Sequence, residues 1–198
     1  MNQQVHKLLK DAVSPELCAF ISDQLRLAYT CKQYEYDQQR LIRQYVGAEE
    51  NPYPFSQDTP NCFSEYCFNP LEVLMHQITP VVEETFNKRL YPSFSFGRIH
   101  FNGSILPRHF DRVGCEYAAT MTLATDGTPW ALMLDEEEHH MDVGDLFAFI
   151  GTKVNHGRDP YQGREHIQAA FFWVDADGEH THKIFDGRPY LGWTGKKL

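Results

Sequence analysis

The 198-residue chain is 42% hydrophobic and 14% aromatic, enough for one domain with a sizeable core and without the bias of a disordered segment. Its formal net charge of -9 argues against a nucleic-acid backbone as the main partner, because phosphates select basic surfaces. No run of about 18 apolar residues is present to cross a membrane, Met1–Lys7 lacks the layout of a signal peptide, and five cysteines without paired spacing fit free thiols in a reducing cytoplasm.

Residues 13–30 are expected to form a helix. Ser14 can cap it, Pro15 suits its first position, and Leu17, Phe20, Ile21, Leu25 and Leu27 supply an apolar face. Residues 32–66, with Pro52, Pro54 and Pro60 among several aromatics, are expected to be a long structured connection. Asn69-Pro70 opens a second helix through Leu74 and Ile78, which Pro80 interrupts or kinks and which Val81 to Leu90 continue. From Tyr91 the period changes. Strands are expected around Phe94–Phe101, Tyr117–Leu123, Trp130–Leu134, Leu146–Ile150 and Ile167–Val174, with turns at Asn102-Gly103, Asp135–His140 and Val143–Asp145.

Helices followed by short strands suggest a mainly β, α+β domain in which N-terminal helices pack on an antiparallel sandwich or barrel. Residues 1–90 would be the helical flank and connection, 91–175 the β core and 176–198 a tail.

The most informative residues are His109-Phe110-Asp111 and, 45 positions beyond Asp111, His156. Two imidazoles and a carboxylate on one face suit iron(II) and leave half its coordination sphere open. On a strand, positions 109 and 111 would point to one side. The intervening residues allow about four to five strands, enough to bring His156 back. Among ten histidines a chance His-x-Asp is unremarkable, so its weight comes from the ordered turn and strand signals around it. His139-His140 lies among Glu136, Glu137, Glu138 and Asp142, where a charge run is usually a solvated face. His180 and His182 in the tail are read the same way.

Together, Phe96–His100, Pro107–Arg112, Gly114–Tyr117, Asp142–Asp145 and Asn155–Pro160 resemble the 2-oxoglutarate- and iron(II)-dependent oxygenases of the prolyl-hydroxylase-like branch. They resemble more narrowly a set of small bacterial and phage members. The resemblance spans about Pro92 to Asp175 and extends more weakly through the N-terminal helices. It implies a double-stranded β-helix (jelly roll). It implies Fe(II) on His109, Asp111 and His156, 2-oxoglutarate as cosubstrate, and O2 reduced as succinate and CO2 are released. Asp111 stands where halogenases of the superfamily carry a small residue, which favours hydroxylation over chlorination.

The resemblance also requires a basic partner for the far carboxylate of 2-oxoglutarate. Arg164, eight positions after His156, and Arg158, two after it, are the candidates, with His166 a weaker third. Their ordinary readings are a solvated turn arginine beside Glu165 and a local pair with Asp159. His100 occupies a place where related enzymes often carry tyrosine. Arg98 shares its face, Thr122 could hydrogen-bond the cosubstrate, and Arg112 and Trp130 could touch substrate or simply pack. The expected substrate is a small molecule, a free amino acid or a residue in a peptide or protein, handled in the cytoplasm. The competing classes are a cupin-like metal-binding or sensor protein without turnover and a zinc hydrolase on the same ligands.

Overall fold

The computed structural model describes residues 5–46 and 59–193, with side chains for 5–38 and 59–193. Helix α1 covers Pro15–Val46 and starts with the Leu17 amide donating to the Ser14 hydroxyl. It runs sixteen residues past the expected end at 30. Residues 31–46 contain no glycine or proline and are rich in glutamine, lysine and arginine, which propagate a helix without needing an apolar stripe. Of the expected connection, 47–58 lie outside the described residues, and Cys62–Tyr66 is a strand, β2. The apolar face of α1 is also narrower than its sequence suggests. Cys18, Ile21 and Leu25 are buried, whereas Phe20 and Leu27 stay exposed.

Helix α2, Asn69–Phe86, passes through Pro80 as one element and ends at Asn87 in the left-handed conformation. Leu90 therefore belongs to the next strand rather than to the helix.

The strands are β1 His6–Leu9, β2, β3 Leu90–Phe101, β4 Leu106–His109, β5 Tyr117–Thr125, β6 Leu132–Leu134, β7 Glu137–His139, β8 Leu146–Phe149, β9 His156–Arg158 and β10 Glu165–Asp175. They form a six-stranded sheet, order β1-β8-β5-β10-β3-β2, and a four-stranded sheet, order β4-β9-β6-β7, with antiparallel ladders throughout. Sequence periodicity misses β1, β4, β7 and β9, which are as short as β6 and β8 but lack the continuous apolar run that marks those two. Trp130 precedes β6 instead of opening it.

Alternation along β10 builds two layers. Ile167, Ala169, Phe171 and Trp173 join the core shared with α1 and α2, while Gln168, Ala170 and Phe172 line a cavity on the opposite face. A Cβ at Gly97 on β3 would stand 2.5 Å from a Leu25 methyl and 3.1 Å from a Leu71 methyl, so glycine lets both helices settle on the sheet. Between the sheets lie Ala118, Leu132, Leu134, Phe147, Phe149 and Val154.

The tail is fastened to this body. Buried Glu72 of α2 accepts from the Ser95 hydroxyl at 2.7 Å, the Arg188 guanidinium at 3.0 Å and the Gly192 amide at 3.1 Å. Removing one partner from a buried ion pair leaves the other charge uncompensated. Glu72→Ala should therefore lower stability by about 3 kcal/mol in urea unfolding. Adding Arg188→Ala should cost less than the two single losses summed. A Glu72→Ala protein of unchanged stability would contradict this role.

Candidate metal centre and its cavity

β4 pairs with β9 so that His109 stands opposite His156 and Leu106 opposite Arg158. The two imidazole centroids are 4.4 Å apart. Asp111 arrives differently from the expected strand geometry. The chain leaves β4 after His109, and the Asp111 amide donates to the Gly151 carbonyl at 3.0 Å, in the turn following β8. This brings Asp111 Oδ1 to 3.6 Å from His109 Nε2 and Asp111 Oδ2 to 3.8 Å from His156 Nε2.

The donor set fits a metal ion. One atom from each of the three residues lies within 4.8 Å of the others. His109 Nδ1 bonds the Pro107 carbonyl at 2.8 Å and His156 Nδ1 the Val154 carbonyl at 3.0 Å. A carbonyl accepts only from N–H, which leaves Nε2 of each ring with its lone pair towards the shared point. Buried Asp111 Oδ2 has no hydrogen-bond partner among the described residues. The neighbouring Asp111 carboxylate raises the pKa of His109, while burial lowers that of His156.

His109, Asp111 and His156 open on a cavity of about 330 Å³. Phe94, Phe96 and Phe172 make its apolar wall, and Arg98, Arg112, Thr120 and Gln168 supply its polar edge. Arg112 lies over the Phe94 ring, 4.8 Å from its centroid, and pairs with Asp186 of the tail at 3.3 Å. Gln168 donates to Thr120 Oγ1 at 2.6 Å, and among the described residues its Oε1 has no partner, nor have Arg98 Nε and Thr122 Oγ1.

Arg158 and Arg164 occupy opposite environments. Neither is among the residues that line the cavity, but Arg164 is exposed in the turn before β10 and is fixed through its backbone amide to Asp126. Arg158 is 1% exposed. Its Nη1 donates to the Trp130 carbonyl, its guanidinium lies 4.7 Å from the Trp130 ring centroid, and its Nε and Nη2 have no partner among the described residues. Asp159 pairs instead with Arg108.

Around Arg158 gather His100, which bonds Ser104 Oγ at 2.8 Å, and His166, whose two ring nitrogens have no hydrogen-bond partner among the described residues. Burial holds His100 well below its ordinary pKa and His166 down to about 3, so both are neutral at pH 7. Burial also pulls Arg158 down to about 9. Trp130 packs among His100, His166 and Tyr161 at centroid distances of 4.7–5.1 Å and donates to the Asp159 carbonyl, so it is a wall of this cluster.

Sequence reasoning passed over Gly151, Asp186 and the Thr120–Gln168 pair. Gly151 sits where an apolar strand ends, and that was its only visible signal. A Cβ there would come within 2.2 Å of Asp111 Oδ2 and 2.7 Å of the Cys115 carbonyl. Gly151→Ala should therefore displace the carboxylate and weaken Ni(II) or Fe(II) binding by about 10- to 100-fold in calorimetric titration, with the fold intact by circular dichroism. Undiminished affinity would remove Asp111 from the ligand set.

No protein-family model matches the sequence, and neither does any curated protein. Solved structures do match. A prolyl-4-hydroxylase from Pseudomonas putida superposes with a TM-score of 0.58 at 14% identity, covering 86% of this chain and 92% of that one. HygX from Streptomyces hygroscopicus, solved with nickel and 2-oxoglutarate, gives 0.63 at 9% identity, covering 89% and 85%. SnoN, a non-heme alpha-ketoglutarate-dependent epimerase of nogalamycin biosynthesis, gives 0.63 at 9% identity, covering 88% and 79%. The chain therefore shares the fold of these three structures.

Proposed function

We propose that the protein is an iron(II)- and 2-oxoglutarate-dependent dioxygenase on a jelly-roll core, acting as a hydroxylase. One observation carries the reading. A three-ligand face with an open side lies two residues from a buried arginine that lacks a carboxylate partner among the described residues. A metal-binding module without turnover has no need of that arginine, and neither has a zinc hydrolase. HygX was solved with both nickel and 2-oxoglutarate, and the shared fold makes the same pair the natural occupants here.

When bound, iron(II) would couple oxidative decarboxylation of 2-oxoglutarate, giving succinate and CO2, to oxidation of a substrate by O2. His109, Asp111 and His156 would hold it, with the Pro107 and Val154 carbonyls fixing the two rings. Arg158 would bind the far carboxylate. Its free Nε–H and Nη2–H form one edge of the guanidinium, the edge that meets a carboxylate in two parallel bonds. Neutral His100 and His166 add hydrogen-bonding capacity beside it without adding charge. The phenylalanine wall excludes water, and Arg98 and Arg112 face the space left for substrate. SnoN has the same fold and is an epimerase, so the fold does not select the outcome. Hydroxylation rests on Asp111, which fills the place a halide would need. The free thiols and acidic charge fit a cytoplasmic enzyme with a small-molecule or peptidyl substrate.

With Fe(II), 2-oxoglutarate and air, the protein should release succinate even before its substrate is known, and Asp111→Ala should abolish this. Arg158→Ala should raise the 2-oxoglutarate requirement by about 10- to 100-fold, the worth of hydrogen bonds to a charged group. Arg164→Ala should leave it unchanged. No succinate from folded, iron-loaded protein contradicts the reading, and a larger effect at Arg164 than at Arg158 contradicts the anchor.

A further inference from the structure

β1 is the edge strand of the six-stranded sheet and β7 the edge strand of the four-stranded sheet, and no backbone ladder joins them. Side chains meet across this seam. His6 of β1 and His139 of β7 have ring centroids 5.2 Å apart, and both rings lie against Phe147, at 5.6 and 4.7 Å. Glu137 and His139 are two apart on β7 and so share a face. Glu137 Oε2 stands 3.7 Å from His139 Nε2. That Nε2 is buried and has no hydrogen-bond partner among the described residues. One nitrogen of His6, one of His139 and one oxygen of Glu137 lie within 4.8 Å of each other, the same closeness found at His109, Asp111 and His156.

The sequence pattern places His139 on a solvated charged face with His140. His140 and Glu137 fit that reading, with side chains 61% and 74% exposed, but His139 is 19% exposed and turned into the seam.

We propose that His6, Glu137 and His139 form a second metal site that takes a zinc-class divalent cation and joins the edge strands of the two sheets. Two imidazoles and a carboxylate are the donors such an ion prefers, at about 2.0–2.2 Å, with water as a fourth ligand. Nitrogen donors disfavour calcium and magnesium, which take oxygen. The ion would supply the cross-link that backbone pairing does not and would hold the N-terminal strand against the barrel. The site is independent of the oxygenase reading.

The test removes the first metal face. In an Asp111→Ala/His156→Ala protein, zinc measured by equilibrium dialysis should remain at one ion per chain, and added zinc should raise the melting temperature. Cobalt(II) in the same protein should give the visible bands of a four-coordinate site. Adding His139→Ala or His6→Ala should abolish all three responses, and adding Glu137→Gln should weaken binding about tenfold, with circular dichroism in EDTA checking that each variant folds. No zinc on the Asp111→Ala/His156→Ala protein overturns the proposal. So does zinc that persists undiminished after His6→Ala and His139→Ala together.

Discussion

The register that sets His109 opposite His156 governs the rest of the site. Side chains on a strand alternate, so a slip of one residue between β4 and β9 would turn one imidazole out of the pair. Gly157 holds that register tightly. A Cβ at this position would sit 2.5 Å from the Leu106 carbonyl, so only glycine lets β4 approach so near. Once the two rings face one another, the bond from the Asp111 amide to Gly151 brings the carboxylate alongside. The same register places Arg158 on the face of β9 that carries His156, which couples the proposed metal and cosubstrate positions through one three-residue strand.

That strand is a poor contributor to stability. A guanidinium buried to 1% exposure, with two of its nitrogens unpartnered among the described residues, costs desolvation that one carbonyl and one tryptophan face do not offset. The neighbouring histidines respond to the same dry surroundings by staying neutral. Such an arrangement is reasonable where a dicarboxylate completes it. The surrounding frame is firm enough to bear it, with β10 laddered on both sides and its other face packed under two helices.

The parts legible in the sequence were those with long periods or strong punctuation. The β10 apolar run, the Leu146–Phe149 strand and the opening of α2 at Asn69-Pro70 each announce themselves. The meeting of His109, Asp111 and His156 was legible because strand and turn signals surround them. Short strands without an apolar run were not, since β9, His-Gly-Arg, carries no pattern. Arg158 and Arg164 could not be separated by spacing, because the choice depends on which lies behind Trp130 and which in an exposed turn. His139 looked like part of a charged hairpin because its companion, His6, is 133 residues away in the chain.

The central claim is that the three-ligand face and Arg158 serve one iron–2-oxoglutarate complex. Its most direct test is the visible spectrum of the protein with Fe(II) and 2-oxoglutarate under anaerobic conditions. The account predicts a weak metal-to-ligand charge-transfer band that needs both components. Folded, iron-loaded protein without that band at saturating 2-oxoglutarate would contradict it.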